Sequence, residues 1–389
     1  MNTTGSISTD VLVIGGGIAG AGAAYELSAD LGVVLVEAES TLAYHTTGRS
    51  AALFAESYGP QPIRALTAAG RDFIMSPPEG LADFPLLEPL PGLFVTDDDN
   101  APCLDELAEA IEDLVDDVRR VEGDELAEIT GILAPHLTHG LIDGSSLALD
   151  VAGLHQVFVK GARRRGTRIE TSAPVTSLRR EGGRWVVTAG DLTVDAEVVV
   201  NAAGAWGDRI AEMAGVTPVG LTPLRRTAFV VKRPPELEDV ALPVIVDGGH
   251  PETWYVKPEP GLLLCSPADE TPSEPCDARP EEIDVALGIE RVNHNTTLGI
   301  RHVVRAWAGL RTFAPDRLPV VGFDPTTEGF MWLVGQGGYG IQSSPGMSRL
   351  CAALVNHREV PEDLAALGLD AAAISPARFR RGAEAVSDP

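Results

Sequence analysis

Thr9-Asp-Val-Leu-Val-Ile-Gly-Gly-Gly-Ile-Ala-Gly20 decides the fold of this chain. The apolar run Val11–Ile14, with Ile7 just before it, predicts a parallel strand buried on both faces. It leads straight into Gly15-x-Gly17-x-x-Gly20, and the alanine-rich segment Ala21–Ala29 that follows has good helix propensity. Val33–Val36 predicts a second strand, which ends on Glu37, seventeen residues after Gly20. Strand, turn, helix, strand and acid together form a complete dinucleotide-binding fingerprint. Gly15 permits the tight turn, Gly17 lets a pyrophosphate approach the backbone, and Gly20 lets helix pack on strand. The helix N-terminus offers N–H groups and a partial positive charge to phosphate. Glu37 stands where an acid takes the adenosine ribose hydroxyls.

Bulk properties narrow the class further. A chain of 389 residues with 44% apolar content is ample for two domains. No apolar run reaches the roughly 18 residues a membrane span needs. The segment Met1–Ser8 lacks the basic and apolar regions of a signal peptide, so a cytoplasmic protein without an integral membrane segment is expected. Cysteines 103, 265, 276 and 351 show no CxxC spacing, and neither a metal site nor a disulfide framework is expected. A net charge of −26 argues against nucleic acid and anionic lipid as partners. Lysine occurs only at 160, 232 and 257, a composition that fits salt adaptation or a GC-rich genome.

Beyond Glu37, Tyr44-His-Thr-Thr-Gly-Arg-Ser-Ala-Ala52 predicts a loop entering a helix. Thr46, Thr47 and Ser50 are capping types, and Gly48 and Ser50 expose backbone N–H groups. Arg49 has two readings, an anion contact or a surface arginine on a capped helix. Residues 60–76 read as helical, and the proline-rich stretch through Gly92 as a crossing between domains. Asp105–Val121 predicts an acidic amphipathic helix, and Val151–Arg165 a helix stopped at Gly166. A run of strands from Arg168 leads through Val175 to Asn201-Ala-Ala-Gly204, a small-residue turn that admits a ligand. Strands at 223–233, 244–246, 253–257 and 262–265 predict a separate antiparallel sheet. Near the C-terminus, the strand Gly329–Val334 meets a second glycine-rich turn, Gly335–Gln342, ahead of the helix Ser344–Asn356.

In this order the pieces resemble the D-amino acid oxidase/glycine oxidase family of flavoproteins. The resemblance rests on the β-α-β start, on His45-Thr-Thr-Gly-Arg-Ser-Ala-Ala, on Val200-Asn-Ala-Ala-Gly-Ala-Trp206 and on Gly335-Gln-Gly-Gly-Tyr-Gly-Ile-Gln342. It extends, towards the family's bacterial D-arginine dehydrogenase branch, to Tyr58-Gly-Pro, Arg225-Arg226, Trp254-Tyr-Val-Lys-Pro and Trp307-Ala-Gly-Leu-Arg311. It implies an α/β fold: a Rossmann-like FAD domain from residues 1–84, 150–220 and 300–389, with an interleaved antiparallel-sheet substrate domain from 85–149 and 221–299. No cysteine stands near Arg311, so non-covalent FAD is implied.

By resemblance, FAD would be held by Gly15, Gly17, Ile18, Ala19, Gly20 and Glu37, by Thr46, Thr47, Gly48, Arg49, Ser50, Ala51 and Ala52, by Val175, Ala203 and Gly204, and by Gly337, Gly338, Gly340, Ile341 and Gln342. The reaction implied is oxidation of a D-amino acid, with hydride passing from Cα to the flavin and electrons going on to an acceptor such as a quinone, a carrier or oxygen. With the amine neutral, the protein must chiefly supply orientation. Arg311 would grip the substrate carboxylate with Tyr255, Arg226 would face the substrate, and Tyr58 and Tyr339 would shape the pocket. His45 reads as a loop residue rather than a base. At Gly92, Leu53 and Ala55 the chain lacks the glutamate, histidine and threonine of the arginine-selective branch, which implies neutral or apolar side chains. Glu56 and Glu88 are the acids able to restore polarity from another angle. A secondary-amine oxidase and a flavin-bearing electron-transfer subunit are the alternative readings.

Overall fold

The computed structural model describes residues 5–380 except 113, 116 and 250. The strand Gly5–Ile14 lies at the heart of an eight-stranded sheet, paired in parallel with Leu192–Asn201 on one side and Val33–Val36 on the other. Its alternate residues serve different cores. Val11 and Val13 face one cluster with Tyr25, Phe158 and Leu350, while Leu12 and Ile14 face another with Trp185, Phe330 and Trp332. Both faces are covered, which is why the strand is apolar without alternation. The fingerprint helix is Ile18–Leu27, and it packs between the helices Val151–Arg164 and Ser344–Val355. Leu192–Asn201 is one strand rather than the two expected. Its first half pairs antiparallel with Arg184–Ala189, and its end pairs in parallel with Phe330–Val334.

A nine-stranded sheet forms the second body, centred on the long strand Thr222–Lys232. It is not wholly antiparallel as expected: Gly92–Thr96 and Val244–Asp247 run parallel. These two strands come from separate parts of the chain, so no hairpin imposes antiparallel pairing between them. The strand Arg305–Phe313 also pairs here, along nearly the whole of Thr222–Lys232, with Arg311 opposite Leu224 and Gly309 opposite Arg226. A small three-stranded sheet, Leu53–Phe54, Leu147–Leu149 and Leu87–Pro89, accompanies these two.

Two local expectations fail for identifiable reasons. The helix placed at Asp105–Val121 spans Ala101–Ile111, because Val118–Glu122 pairs as an edge strand with His139–Asp143. The segment after Tyr44 forms only a single 3-10 turn, Thr47–Arg49, before the strand Leu53–Phe54. The Thr47 hydroxyl is committed elsewhere, accepting from the Ile18 N–H at 3.0 Å and so capping the fingerprint helix. Among the described residues, no helix is long and apolar enough to cross a membrane.

Gly20 shows how tightly this frame is drawn. A Cβ there would overlap the Gly15 carbonyl oxygen, a backbone atom that cannot swing aside. Gly20→Ala is expected to lower unfolding stability by about 1–3 kcal/mol through overpacking and to reduce the flavin retained per chain. Urea unfolding and the 450/280 nm absorbance ratio measure both effects. A variant with unchanged values would show that the turn yields more easily than this contact requires.

Candidate active site

A cavity of about 520 Å³ is lined by residues of both large sheets. From the fingerprint side come Gly15, Gly17, Ile18, Ala19 and Glu37. The loop after Tyr44 adds Thr46, Thr47, Arg49, Ser50 and Ala51, and the first sheet adds Val175, Ala203 and Gly204. The second sheet contributes Arg226, Tyr255 and Arg311, and the late glycine turn contributes Gly337, Gly338, Gly340 and Ile341.

Glu37 is fixed by two backbone donors, the N–H of Gly16 at 2.6 Å and that of Glu39 at 2.9 Å. Its carboxylate is therefore oriented before any ligand arrives. The open side of Gly17 looks towards Thr47 Oγ1, and the helix behind it starts on a hydroxyl-capped N–H. Pre-placed acid, side-chain-free turn and positive helix end fit an adenine dinucleotide.

The Tyr44–Ser50 loop is fastened to the Arg311 strand. Thr46 Oγ1 donates to the Leu310 carbonyl at 2.9 Å, and Trp307 Nε1 donates to the Arg49 carbonyl at 3.0 Å. The Arg49 guanidinium is spent on structure: it donates to the carbonyls of Ala278 at 2.7 Å and Ala308 at 3.1 Å and pairs with Asp277. Neither sequence reading of Arg49 describes this, because its acid lies 228 residues away.

Arg311 is the opposite case. Among the described residues it donates no hydrogen bond and closes no ion pair, although it lies on the cavity wall. Its guanidinium rests against Gly338, where a Cβ would come within 3.0 Å of Nη1. Burial works to lower its pKa, but Tyr58, Tyr255, Glu252 and Tyr339 around it outweigh that and hold it above the ordinary arginine value. Tyr58 and Tyr339 stack at a tilt with ring centroids 5.0 Å apart. Tyr58 as a whole is 36% exposed, yet desolvation at its hydroxyl pushes that group up to about 12 against the pull of Arg311.

Several residues expected at the site stand off the cavity wall. Gly20 lies beneath the fingerprint turn, Gly48 closes a tight turn against the Ala43 carbonyl, and Ala52 packs on the core. Gln342 is buried, accepting from the Ala55 N–H and donating to the Tyr58 carbonyl, each at 3.3 Å. It holds the chain that carries Tyr58. Leu53 sits in the small sheet opposite Ala148. Gly92 opens the strand Gly92–Thr96, flanked by Asp143 and Val244, with Ser146 above it. Of the candidate compensating acids, Glu56 is locked to Arg71 at 2.8 Å, and Glu88 is exposed.

Two residues near the site escaped the sequence reading. Glu252 stands half-buried with Arg226 Nη1 3.6 Å from its carboxylate. His155, 2% exposed, bonds the Gly16 carbonyl through Nε2 at 3.0 Å and so braces the glycine turn from the neighbouring helix. A polar residue within the buried stripe Leu154, Val157, Phe158 was the available signal for it.

Fold and site together define a dinucleotide-dependent redox enzyme. A family model described as FAD dependent oxidoreductase (DAO) matches residues 10–354, and the chain belongs to that family. It is similar to hydrogen cyanide synthase subunit HcnC of Pseudomonas aeruginosa, 25% identical over 282 residues, or 70% of this chain and 64% of that protein. Mitochondrial dimethylglycine dehydrogenase of Mus musculus is 26% identical over 265 residues, 63% of this chain but only 30% of that protein. The chain thus spans less than two thirds of either. Glycine oxidase of Geobacillus kaustophilus is 25% identical over 373 residues, 92% of this chain and 96% of that protein. Its crystal structure shares the fold, with a TM-score of 0.81 at 22% identity over 94% of this chain and 99% of that one.

Burial lowers the pKa of His155, and the Gly16 carbonyl and Glu37 recover part of that loss. The folded chain therefore protonates His155 at lower pH than the unfolded chain does. Stability present above the ordinary histidine value is lost as pH falls through the folded value. Thermal melts between about pH 7 and about pH 5 should fall more steeply for the wild type than for His155→Gln, which keeps a donor for Gly16 but cannot titrate. Parallel profiles would remove His155 from the account.

Proposed function

We propose that this FAD-dependent oxidoreductase oxidises free amino acids of D configuration, preferring neutral and apolar side chains, to imino acids that hydrolyse to 2-oxo acids and ammonia. The observation that carries this reading is the Arg311 guanidinium, unpaired among the described residues, on a cavity that also reaches the dinucleotide turn. A half-buried cation on a cavity wall without a protein partner is held for an anion, and a planar guanidinium suits a carboxylate bidentately. FAD, when bound, supplies the two-electron acceptor for the hydride leaving Cα.

In this reading Arg311 fixes the carboxylate, and the Tyr58 and Tyr255 hydroxyls help orient it from the same side. Tyr339 and the backbone of Gly338 bound the pocket beside them. The cofactor would be held without a covalent bond along Gly15–Ala19, Glu37, Thr46–Ala51, Val175, Ala203, Gly204 and Gly337–Ile341. Residues 1–84, 150–220 and 300–389 form the cofactor part and 85–149 and 221–299 the substrate part, with the Arg305–Phe313 strand shared between them. The D configuration and the neutral preference rest on the motifs shared with the D-arginine dehydrogenase branch and on Gly92, Leu53 and Ala55 within them. A soluble cytoplasmic protein passing electrons to a diffusible or quinone acceptor completes the proposal.

A second reading has its own support. One relative is named for dimethylglycine, so oxidation of N-alkyl amino acids on the same carboxylate anchor is the alternative. Anaerobic flavin bleaching by a panel of D-, L- and N-methyl amino acids separates the two. Rapid bleaching by D-leucine, D-methionine and D-phenylalanine supports the main reading. D-arginine far ahead of these, or bleaching by N-methyl compounds alone, overturns it. Arg311→Met should keep its flavin and lose about 10²–10⁴-fold in kcat/KM, the size of a bidentate charged contact. Unchanged kcat/KM would remove the carboxylate anchor.

A further inference from the structure

Arg226 and Arg311 both line the cavity, yet their surroundings are opposite. Arg226 is hemmed in by acids. Its Nε donates to the Asp269 carbonyl at 2.8 Å, Nη2 lies 3.4 Å from Glu270 Oε1, and Nη1 lies 3.6 Å from Glu252 Oε1. Glu270 is already engaged by Arg317, at 2.8 and 3.1 Å to its two oxygens. Glu252 is not engaged in this way. Among the described residues its carboxylate accepts no hydrogen bond, and 30% of its side-chain surface stays accessible.

Glu252 is held in position by its turn. The Asp247 N–H donates to the Trp254 carbonyl at 3.0 Å, and the Thr253 N–H donates to Asp247 Oδ2 at 2.9 Å. Tyr255, on the cavity wall, follows three residues later. Burial raises the pKa of Glu252, while the charges of Arg226 and Arg311 pull it back down. An acid partly withdrawn from water and short of donors is costly to keep, and its sign sets what else can enter beside it.

We propose that Glu252 is a specificity-determining residue. Set against Arg226, it leaves Arg311 as the uncompensated cation of the pocket among the described residues, so the site takes substrates with a single carboxylate and refuses a second anionic group. This rests on the reading of Arg311 as the carboxylate anchor. Glu252 acts by charge: in a partly wet site, repulsion between two like charges about 6 Å apart is large enough for about 10–100-fold discrimination.

The test uses the FAD-loaded protein and needs no turnover. Perturbation of the flavin absorbance is titrated with butyrate and with succinate, four-carbon acids carrying one and two carboxylates. Wild type is expected to bind butyrate at least about tenfold more tightly than succinate. Glu252→Gln should shift that ratio towards succinate by about 10–100-fold, while Glu252→Asp, which keeps the charge, holds the wild-type ratio. The proposal is overturned by equal binding of both acids to wild type, by a ratio unmoved in Glu252→Gln, or by an equal shift in Glu252→Asp. Those outcomes leave the anchor standing. A flavin spectrum indifferent to both acids, in wild type and Arg311→Met alike, removes the anchor and this inference with it.

Discussion

The short loop from Thr46 to Arg49 is the joint on which the site depends. On one side the Thr47 hydroxyl caps the first N–H of the fingerprint helix. On the other, Thr46 and Arg49 bond carbonyls of the strand that bears Arg311, and Trp307 of that strand bonds back. Four contacts thus fix the cavity wall at the dinucleotide turn relative to the wall at the guanidinium. For the proposed hydride transfer, positioning is one of the large contributions a protein can make. A loop with free side chains at these positions would leave the two sheets correctly folded and the reactants misaligned. The buried clamp of Gln342 on Ala55 and Tyr58 extends the same fastening to the next segment of chain.

What was legible in the sequence divides along one physical line. The fingerprint is local: its glycines, helix propensity and acid lie within one β-α-β unit, and each residue has one steric or electrostatic task there. Arg311 carried a signal as well, an arginine following Trp-Ala-Gly-Leu in a matched motif, and the structure sets it on the cavity wall. The structural bonds of Gln342 and Arg49 were hidden for the opposite reason. Their partners lie hundreds of residues away, so nothing nearby distinguishes a ligand contact from a structural bond. The parallel pairing of Gly92–Thr96 with Val244–Asp247 was hidden in the same way, since it joins separate parts of the chain. Gly92 itself was overvalued, because register with Asp143 and Val244 buries it within the sheet.

Glu252 and His155 show what pattern alone omits. Glu252 acquires meaning only when a turn brings it to Arg226, which is 26 positions earlier in sequence and on another strand. His155 looks like an ordinary helix residue until the fingerprint turn is folded against it. Neither residue carries a motif, and each has a single long-range neighbour that defines its role.

The free state of Arg311 among the described residues is the least expected property in a chain of this composition. The protein carries 56 acidic residues against 30 basic ones, so carboxylates for a guanidinium to pair with are plentiful. Arg49, Arg71, Arg225, Arg349 and Arg378 all do. Arg311 is kept apart by its neighbours. Tyr58, Tyr255 and Tyr339 surround it with hydroxyls rather than carboxylates, and Gly338 presents bare backbone where any side chain would intrude. The acid nearby, Glu252, is drawn instead to Arg226. Leaving such a cation unpaired costs desolvation that a structural role would never repay. In the proposed function an incoming carboxylate repays it in one orientation, the geometric condition that oxidation at Cα would set.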